Sequence, residues 1–277
     1  MTLPPGARDA RRVGGGDINE AFHLLLADGR EAFVKTRSEP VPGEYAAEAA
    51  GLAWLAEPGL LRTPEVLELD EAWLALQWVE PGALDAAGAE ELGRGLAGTH
   101  LAGAEEFGAP PGAGREAGFG SLRLPNGPAS DWPSFYAEQR LLPLARVASG
   151  RGAITSRAAA AVEQVCARLG ELCGPPEPPS RLHGDLWSGN VMADSDGRAW
   201  LIDPSAYGGH REVDLAMLRL FGAPSQRIFD AYDEAAPLAD GWQQRVELYQ
   251  LAPLLVHAAL FGGSYGAAAE RVARAYA

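Results

Sequence analysis

The residues most able to do chemistry stand in one run, His183-Gly184-Asp185-Leu186-Trp187-Ser188-Gly189-Asn190, with Asp203 closing the apolar stretch that follows. Together they supply a carboxylate that can accept a hydroxyl proton, an amide oxygen and a second carboxylate. Phosphoryl transfer uses that set: one carboxylate serves as base, while the amide and the other carboxylate hold the magnesium that neutralises the phosphates. Asp185, Asn190 and Asp203 fit these roles in order.

Asp185 and Asn190 have the Asp-x4-Asn spacing of a protein-kinase catalytic loop. A hairpin over 190–193, 194–197 and 198–203 would return Asp203 to the side of Asp185. Pro204 stands where a protein kinase carries Phe, which argues against a protein kinase and leaves a kinase of small molecules. Asp and Asn also end turns and strands for purely local reasons. Any one of these residues alone would be read that way; all of them in order, around a hairpin, favour the site.

A phosphate donor needs its own grip. Gly14, Gly15 and Gly16 precede an apolar run at 20–26 and would let backbone N–H groups approach phosphates closely, although glycines alone also read as a flexible lead-in. Lys35 lies on the next run, 31–36, on the same strand face as Phe33, and the pair Asp28-Gly29 between the runs signals a hairpin. From Pro42 to Pro58-Gly59 a helical period carries Glu48, the carboxylate expected to orient Lys35. Glu44, one turn earlier, competes for that role; Glu48 is preferred because its face continues through Gly51, Leu52 and Leu55 into the core. ATP is thus the expected donor, with the backbones of Gln77 and Val79 offered to adenine where the strand 72–78 ends.

The elements divide at Glu80-Pro81-Gly82. Residues 1–80 read as an ATP-binding lobe of antiparallel strands plus one helix. Residues 81–277 read as a larger, mainly helical lobe for catalysis and acceptor, with helices at 85–101 and 155–173 and a Gly/Pro-rich stretch between them that shows no clear period. The fold class expected is α+β, two-lobed and protein-kinase-like. His100, Trp132, Tyr136 and Trp242 read as packed or rim residues.

Composition narrows the partners. A formal charge of -14 with no Lys/Arg-rich stretch disfavours nucleic acid. No apolar run is long enough to span a bilayer and the first residues lack the apolar core of a secretory signal, so the expectation is a cytoplasmic protein without membrane contact. Cys166 and Cys173, seven apart on a helical pattern, lie roughly 10 Å from each other at the helical rise, too far for a disulfide.

Beyond a generic kinase, the chain resembles the fructosamine kinase (ketosamine-3-kinase) family of the aminoglycoside phosphotransferase-like group. The resemblance runs nearly end to end: Gly14 to Ala21, Phe33-Val34-Lys35, Glu48 to Leu52, Phe119-Gly120-Ser121, Asp131-Trp132, His183 to Asn190, Asp203-Pro204-Ser205-Ala206-Tyr207, Gly209 to Met217, Leu254 to His257 and Leu260 to Tyr265. Trp187, after His-Gly-Asp-Leu, separates this family from aminoglycoside and choline kinases. Ser205 stands where alanine is usual, and Gly208 where the family often has an aromatic residue beside the acceptor site. The resemblance implies ATP- and magnesium-dependent phosphorylation of the 3-hydroxyl of a ketosamine, small or protein-bound, after which the product decomposes and frees the amine. It also implies Trp187, His257 and Tyr265 as acceptor-binding residues. Kinases of another small hydroxyl compound, and a nucleotide-binding pseudokinase module, are the alternatives; the filled catalytic positions disfavour the second.

Overall fold

The computed structural model describes residues 2–14 and 19–277. Its first lobe is one antiparallel sheet, ordered β1-β2-β3-β5-β4, formed by β1 (Arg8–Val13), β2 (Glu20–Leu25), β3 (Glu31–Thr36), β4 (Val66–Leu69) and β5 (Trp73–Gln77). The β2–β3 turn closes at Asp28-Gly29: Gly29 takes φ 89°, and Asp28 Oδ1 accepts the Arg30 N–H at 3.0 Å.

Strand alternation separates the two faces of this sheet. Phe22, Leu24, Ala32, Val34, Trp73 and Ala75 pack together on one side. Register sets Ala21 opposite Lys35, His23 opposite Phe33, and Lys35 and Phe33 opposite Leu74 and Leu76, so these side chains share the other side. Helix α1 (Glu44–Ala56) covers it, burying Tyr45, Ala49 and Leu52 against Leu74 and Leu76. The expected hairpin, helix and strand ending before the lobe boundary are all present. The strand missed by sequence reasoning is β1, Arg-Asp-Ala-Arg-Arg-Val, which is exposed from Arg8 to Arg12 and so carries no apolar alternation.

The second lobe begins with α2 (Ala86–Ala102), capped by Asp85, whose Oδ1 accepts the Gly88 N–H at 2.7 Å. The Gly/Pro-rich stretch folds into a hairpin of β6 (Glu116–Phe119) and β7 (Leu122–Pro125), then α3 (Trp132–Tyr136), a π-helical turn (Ala137–Leu141) and α4 (Leu142–Gly150). Next come α5 (Ser156–Leu172), β8 (Ser180–Leu182), the hairpin β9 (Val191–Ala193) and β10 (Ala199–Leu201), β11 (Tyr207–Gly209), and helices α6 (Glu212–Leu220), α7 (Arg227–Ala235), α8 (Trp242–Phe261) and α9 (Tyr265–Tyr276). Helices α3 to α6, α8 and α9 share one large core, while α2 and α7 close a second around Leu92, Leu96, Leu186, Leu201 and Tyr232. Leu186 and Leu201 in that second core anchor the loop and the hairpin that carry Asp185 and Asp203. Both cysteines are free thiols, and no described helix is long and apolar enough to cross a membrane.

Candidate active site

Two short strands hold the loop. β8 runs into His183 and pairs antiparallel with β11, Leu182 opposite Tyr207, so residues 183–185 and 203–206 leave the pair side by side. Gly184 has φ 81°, and a Cβ on it would stand 2.0 Å from the Ser205 carbonyl oxygen, so only glycine fits. His183 is fully buried, and burial pushes its pKa below the usual imidazole value. The neutral ring faces the Ile202 carbonyl with Nε2 at 2.9 Å and accepts the Asp185 N–H on Nδ1 at 3.3 Å.

Asp185 projects from this frame. Burial, reinforced by the charges of Asp203 and Asp214, pushes its carboxyl up to about 7 against the opposing hydrogen bond from Asn190. Asn190 Nδ2 donates to the Asp185 carbonyl oxygen at 2.8 Å and to Asp185 Oδ2 at 3.1 Å, which leaves its Oδ1 as an acceptor with no donor among the described residues. Asp203 has φ 55°, a left-handed backbone just before a proline, the kind of strain that concentrates at functional sites.

Lys35 joins the lobes. Its Nζ lies 2.6 Å from Glu48 Oε1 and also bonds Asp203 Oδ1. Burial opposes the Lys35 charge, but the Asp203 and Glu48 carboxylates outweigh it and hold the ammonium above its usual pKa. Glu44 turns elsewhere, to Arg37 at 2.9 Å and Arg123 at 3.3 Å. Oxygen donors from Asn190 and the solvent-facing side of Asp203, beside a lysine, suit a hard divalent cation that keeps waters and phosphate oxygens as its other ligands.

The nucleotide candidates divide. The Gln77 N–H is already given to the Glu65 carbonyl at 2.8 Å, whereas the Val79 N–H has no acceptor among the described residues. Gly14 is exposed, with nothing within 4 Å of a Cβ placed on it; Gly15 and Gly16 lie outside the described residues.

The acceptor candidates meet through a residue that sequence reasoning missed. Trp187 is 38% exposed and lies edge-on to Phe221, with ring centroids 6.2 Å apart. Phe221 in turn lies 4.6 Å from His257 and 6.4 Å from Tyr265. His257 sets Nδ1 at 2.8 Å from the Pro253 carbonyl, and burial lowers its pKa, so a neutral ring presents Nε2 as an acceptor. The signal for Phe221 was an aromatic residue just beyond α6, beside Gly222. Gly208 does not open toward these rings: a Cβ there would stand 2.1 Å from the Glu106 carbonyl oxygen. Asp214 was also missed. Fully buried, it accepts the His183 N–H on Oδ2 at 2.7 Å and the Gly184 N–H on Oδ1 at 2.9 Å.

With this geometry in place, comparison decides the family. The model of the fructosamine kinase family matches residues 4–276. The chain belongs to the fructosamine kinase family. It is 34% identical to a probable ketoamine kinase of Enterococcus faecium, over 94% of this chain and 92% of that one. It is 38% identical to another probable ketoamine kinase, from Thermus thermophilus, over 91% and 87%. The crystal structure of a candidate fructosamine-3-kinase from Thermobifida fusca superposes with a TM-score of 0.90 at 45% identity, covering 98% of this chain and 93% of that one. A choline kinase from Streptococcus pneumoniae, at 14% identity and a TM-score of 0.61 over 98% and 94%, shares the fold. This fructosamine kinase family member is therefore a phosphotransferase with a hydroxyl acceptor, on the two-lobed protein-kinase-like α+β fold.

Proposed function

We propose that the chain transfers the γ-phosphoryl group of ATP to the 3-hydroxyl of a ketosamine, the adduct of a sugar such as fructose or ribulose with an amine. The observation that carries this reading is the meeting of Lys35, Glu48, Asp185, Asn190 and Asp203 in one hydrogen-bonded cluster of a fructosamine kinase family chain. Trp187, Phe221, His257 and Tyr265, forming an aromatic wall outside it, support a sugar acceptor, whose ring offers an apolar face to an indole.

In this reading Asp185 accepts the proton of the 3-hydroxyl as its oxygen bonds to the γ-phosphorus. The bond from that phosphorus to the β–γ bridging oxygen breaks, and ADP leaves. Lys35, held by Glu48, grips phosphate oxygens, and Asn190 Oδ1 and Asp203 hold magnesium. The metal supplies positive charge against the phosphates. The rest is positioning and preorganised electrostatics. The phosphorylated product releasing its amine, a deglycation, is part of this proposal, as are residues 1–80 as the nucleotide lobe and a cytoplasmic setting.

A coupled ADP-release assay tests it. Ribulosamine and fructosamine of lysine should turn over with far higher kcat/KM than kanamycin, choline or fructose. Turnover of an aminoglycoside with none of any ketosamine would replace the acceptor while leaving the phosphotransferase in place.

A further inference from the structure

Helix α1 carries Glu48 and packs on the small-lobe sheet, yet the other lobe holds it along its whole length. At its first residue, Glu44 Oε2 receives Arg37 Nη1 from just beyond β3 at 2.9 Å and Arg123 Nη2 from β7 at 3.3 Å. In its middle, Gly51 lies one turn beyond Glu48 on the same face. A Cβ at Gly51 would stand 3.1 Å from Ala206 Cβ and 3.4 Å from Pro204 Cγ, so α1 rests its backbone on the segment that leaves Asp203.

At its far end Arg181, two residues before His183, gathers the chain. Its Nη1 donates to the Trp54 carbonyl at 3.0 Å and pairs with Glu57, its guanidinium lies 5.2 Å from the Trp54 ring centroid, and its Nε donates to the Gly103 carbonyl at 2.7 Å. These contacts span a helix roughly 20 Å long at the standard rise. They bind it to β7, to the Asp203 segment and to β8, all parts of the large lobe. The Arg123 and Glu44 side chains are both mostly shielded from solvent, where ion pairs hold better than at an open surface, whereas the shielded Arg181 pairs with an exposed Glu57 and is held chiefly by the Trp54 and Gly103 carbonyls.

We propose that Glu44, Gly51 and Arg181 are positioning residues that lock α1 to the large lobe. The Lys35–Glu48 pair is then assembled before nucleotide arrives and keeps its place relative to Asp203 whatever the small-lobe sheet does. This rests on the roles proposed above for Lys35 and Glu48. It gives Glu44, the rival to Glu48 in the sequence, a task of its own. It also explains a glycine in mid-helix, where a Cβ would press on Ala206 at 3.1 Å and a larger side chain would push α1 off that segment and carry Glu48 with it.

The test is Mg·ATP binding by calorimetry, which needs no acceptor, together with thermal unfolding of each variant. Gly51→Val should weaken binding about tenfold, a tenfold change corresponding to about 1.4 kcal/mol, with Gly51→Ala intermediate. Arg181→Ala should move binding the same way, and Arg181→Lys should recover part of it. In a Glu48→Gln background Gly51→Val should add less than about twofold, because coupled residues are non-additive. A role in stability alone would lower the melting temperature and leave Kd of the folded protein unchanged, and an effect on binding that bypassed Glu48 would add fully to Glu48→Gln; either result overturns the lock. Should Gly51→Val not fold, Gly51→Ala and Arg181→Ala carry the test. Wild-type binding in these variants, while Glu48→Gln binds weakly, overturns the lock. Wild-type binding in Glu48→Gln itself removes the Glu48 role first, and the lock with it.

Discussion

Asp214 Oδ2 lies 2.7 Å from the backbone nitrogen of His183, and its other oxygen 2.9 Å from that of Gly184, so one buried carboxylate at the start of α6 fixes the peptide from which Asp185 projects. His100 Nε2 stands 3.3 Å from the same Oδ2, and Tyr232 Oη 2.8 Å from the other nitrogen of that ring. A carboxylate taken fully out of water needs such partners. Asp214→Asn would set an amide NH2 against a backbone N–H. We expect the fold to lose about 1–3 kcal/mol, the cost of an unsatisfied buried group. We also expect kcat to fall about tenfold or more through the misplaced loop, with Mg·ATP affinity little changed. Urea unfolding and steady-state kinetics measure both. A stable Asp214→Asn with wild-type kcat would remove its positioning role.

Asp185 and Asp203 should fail differently. Asp185→Asn keeps the shape and the partnership with Asn190 but removes the proton acceptor, so kcat should drop at least about a hundredfold at nearly constant Kd for ATP. Asp203→Ala takes a partner from Lys35 and, in the proposed reading, a charged oxygen ligand from the cation, so magnesium-dependent ATP binding itself should be lost. Calorimetry with and without magnesium separates the two. An Asp185→Asn enzyme at near wild-type turnover would reassign the base.

How far the site was legible follows from the kind of interaction each residue makes. Asp185, Asn190 and Asp203 announce themselves because charged and amide groups stand at fixed spacing around a hairpin. Lys35 and Glu48 follow from periodicity, as strand and helix faces point both inward. Asp214 and Phe221 act through contacts that no local period encodes: Asp214 bonds backbone N–H groups 30 and 31 residues away. The Gly/Pro-rich stretch resisted reading for a related reason. Its fold is stapled by Arg140, a buried cation that donates to the Pro125 carbonyl at 2.7 Å and Asn126 Oδ1 at 2.8 Å and stacks over Tyr207 at 4.2 Å. Nothing in the sequence around Arg140 marks it as buried. β1 was missed because an exposed edge strand need not alternate.

His210 gives the fold a pH dependence. Burial pushes its pKa down to about 4 from 6.5; Arg245 and Arg211 add to this, and Glu177, at 3.9 Å, opposes it. The unfolded chain therefore binds the proton first. The stability from keeping this imidazole neutral is fully present above pH 6.5 and is lost as pH falls from there toward 4, by about 3 kcal/mol across that window. His183, also held below its usual value by burial, acts in the same direction. Urea unfolding at pH 7.5 and 5 should show the loss, and His210→Gln, which keeps an acceptor near the Glu212 N–H, should flatten it. An equal slope in that variant would assign the dependence to other groups.

The acceptor side is tested through a pair of neighbours. The Trp187 indole folds back over Gly189 so closely that a Cβ on Gly189 would stand 2.3 Å from Trp187 Cη2, and the indole lies nearly perpendicular to the Phe221 ring with centroids 6.2 Å apart. Gly189→Ala must therefore lift the indole off the loop without touching Lys35, Glu48 or Asp203, while Trp187→Ala removes it altogether. If the indole walls the sugar, both variants should raise KM for a ketosamine, by about tenfold for the loss of a well-packed aromatic contact, and leave Kd for Mg·ATP within about twofold. Phe221→Ala should fall between wild type and Trp187→Ala, since it removes a neighbour of the indole and leaves the indole itself. Kinetics at saturating ATP with varied ribulosamine and fructosamine give the numbers. A ketosamine KM unchanged in both Gly189→Ala and Trp187→Ala would move the acceptor away from this wall, and a parallel loss of ATP affinity would show the indole to support the catalytic loop as a whole.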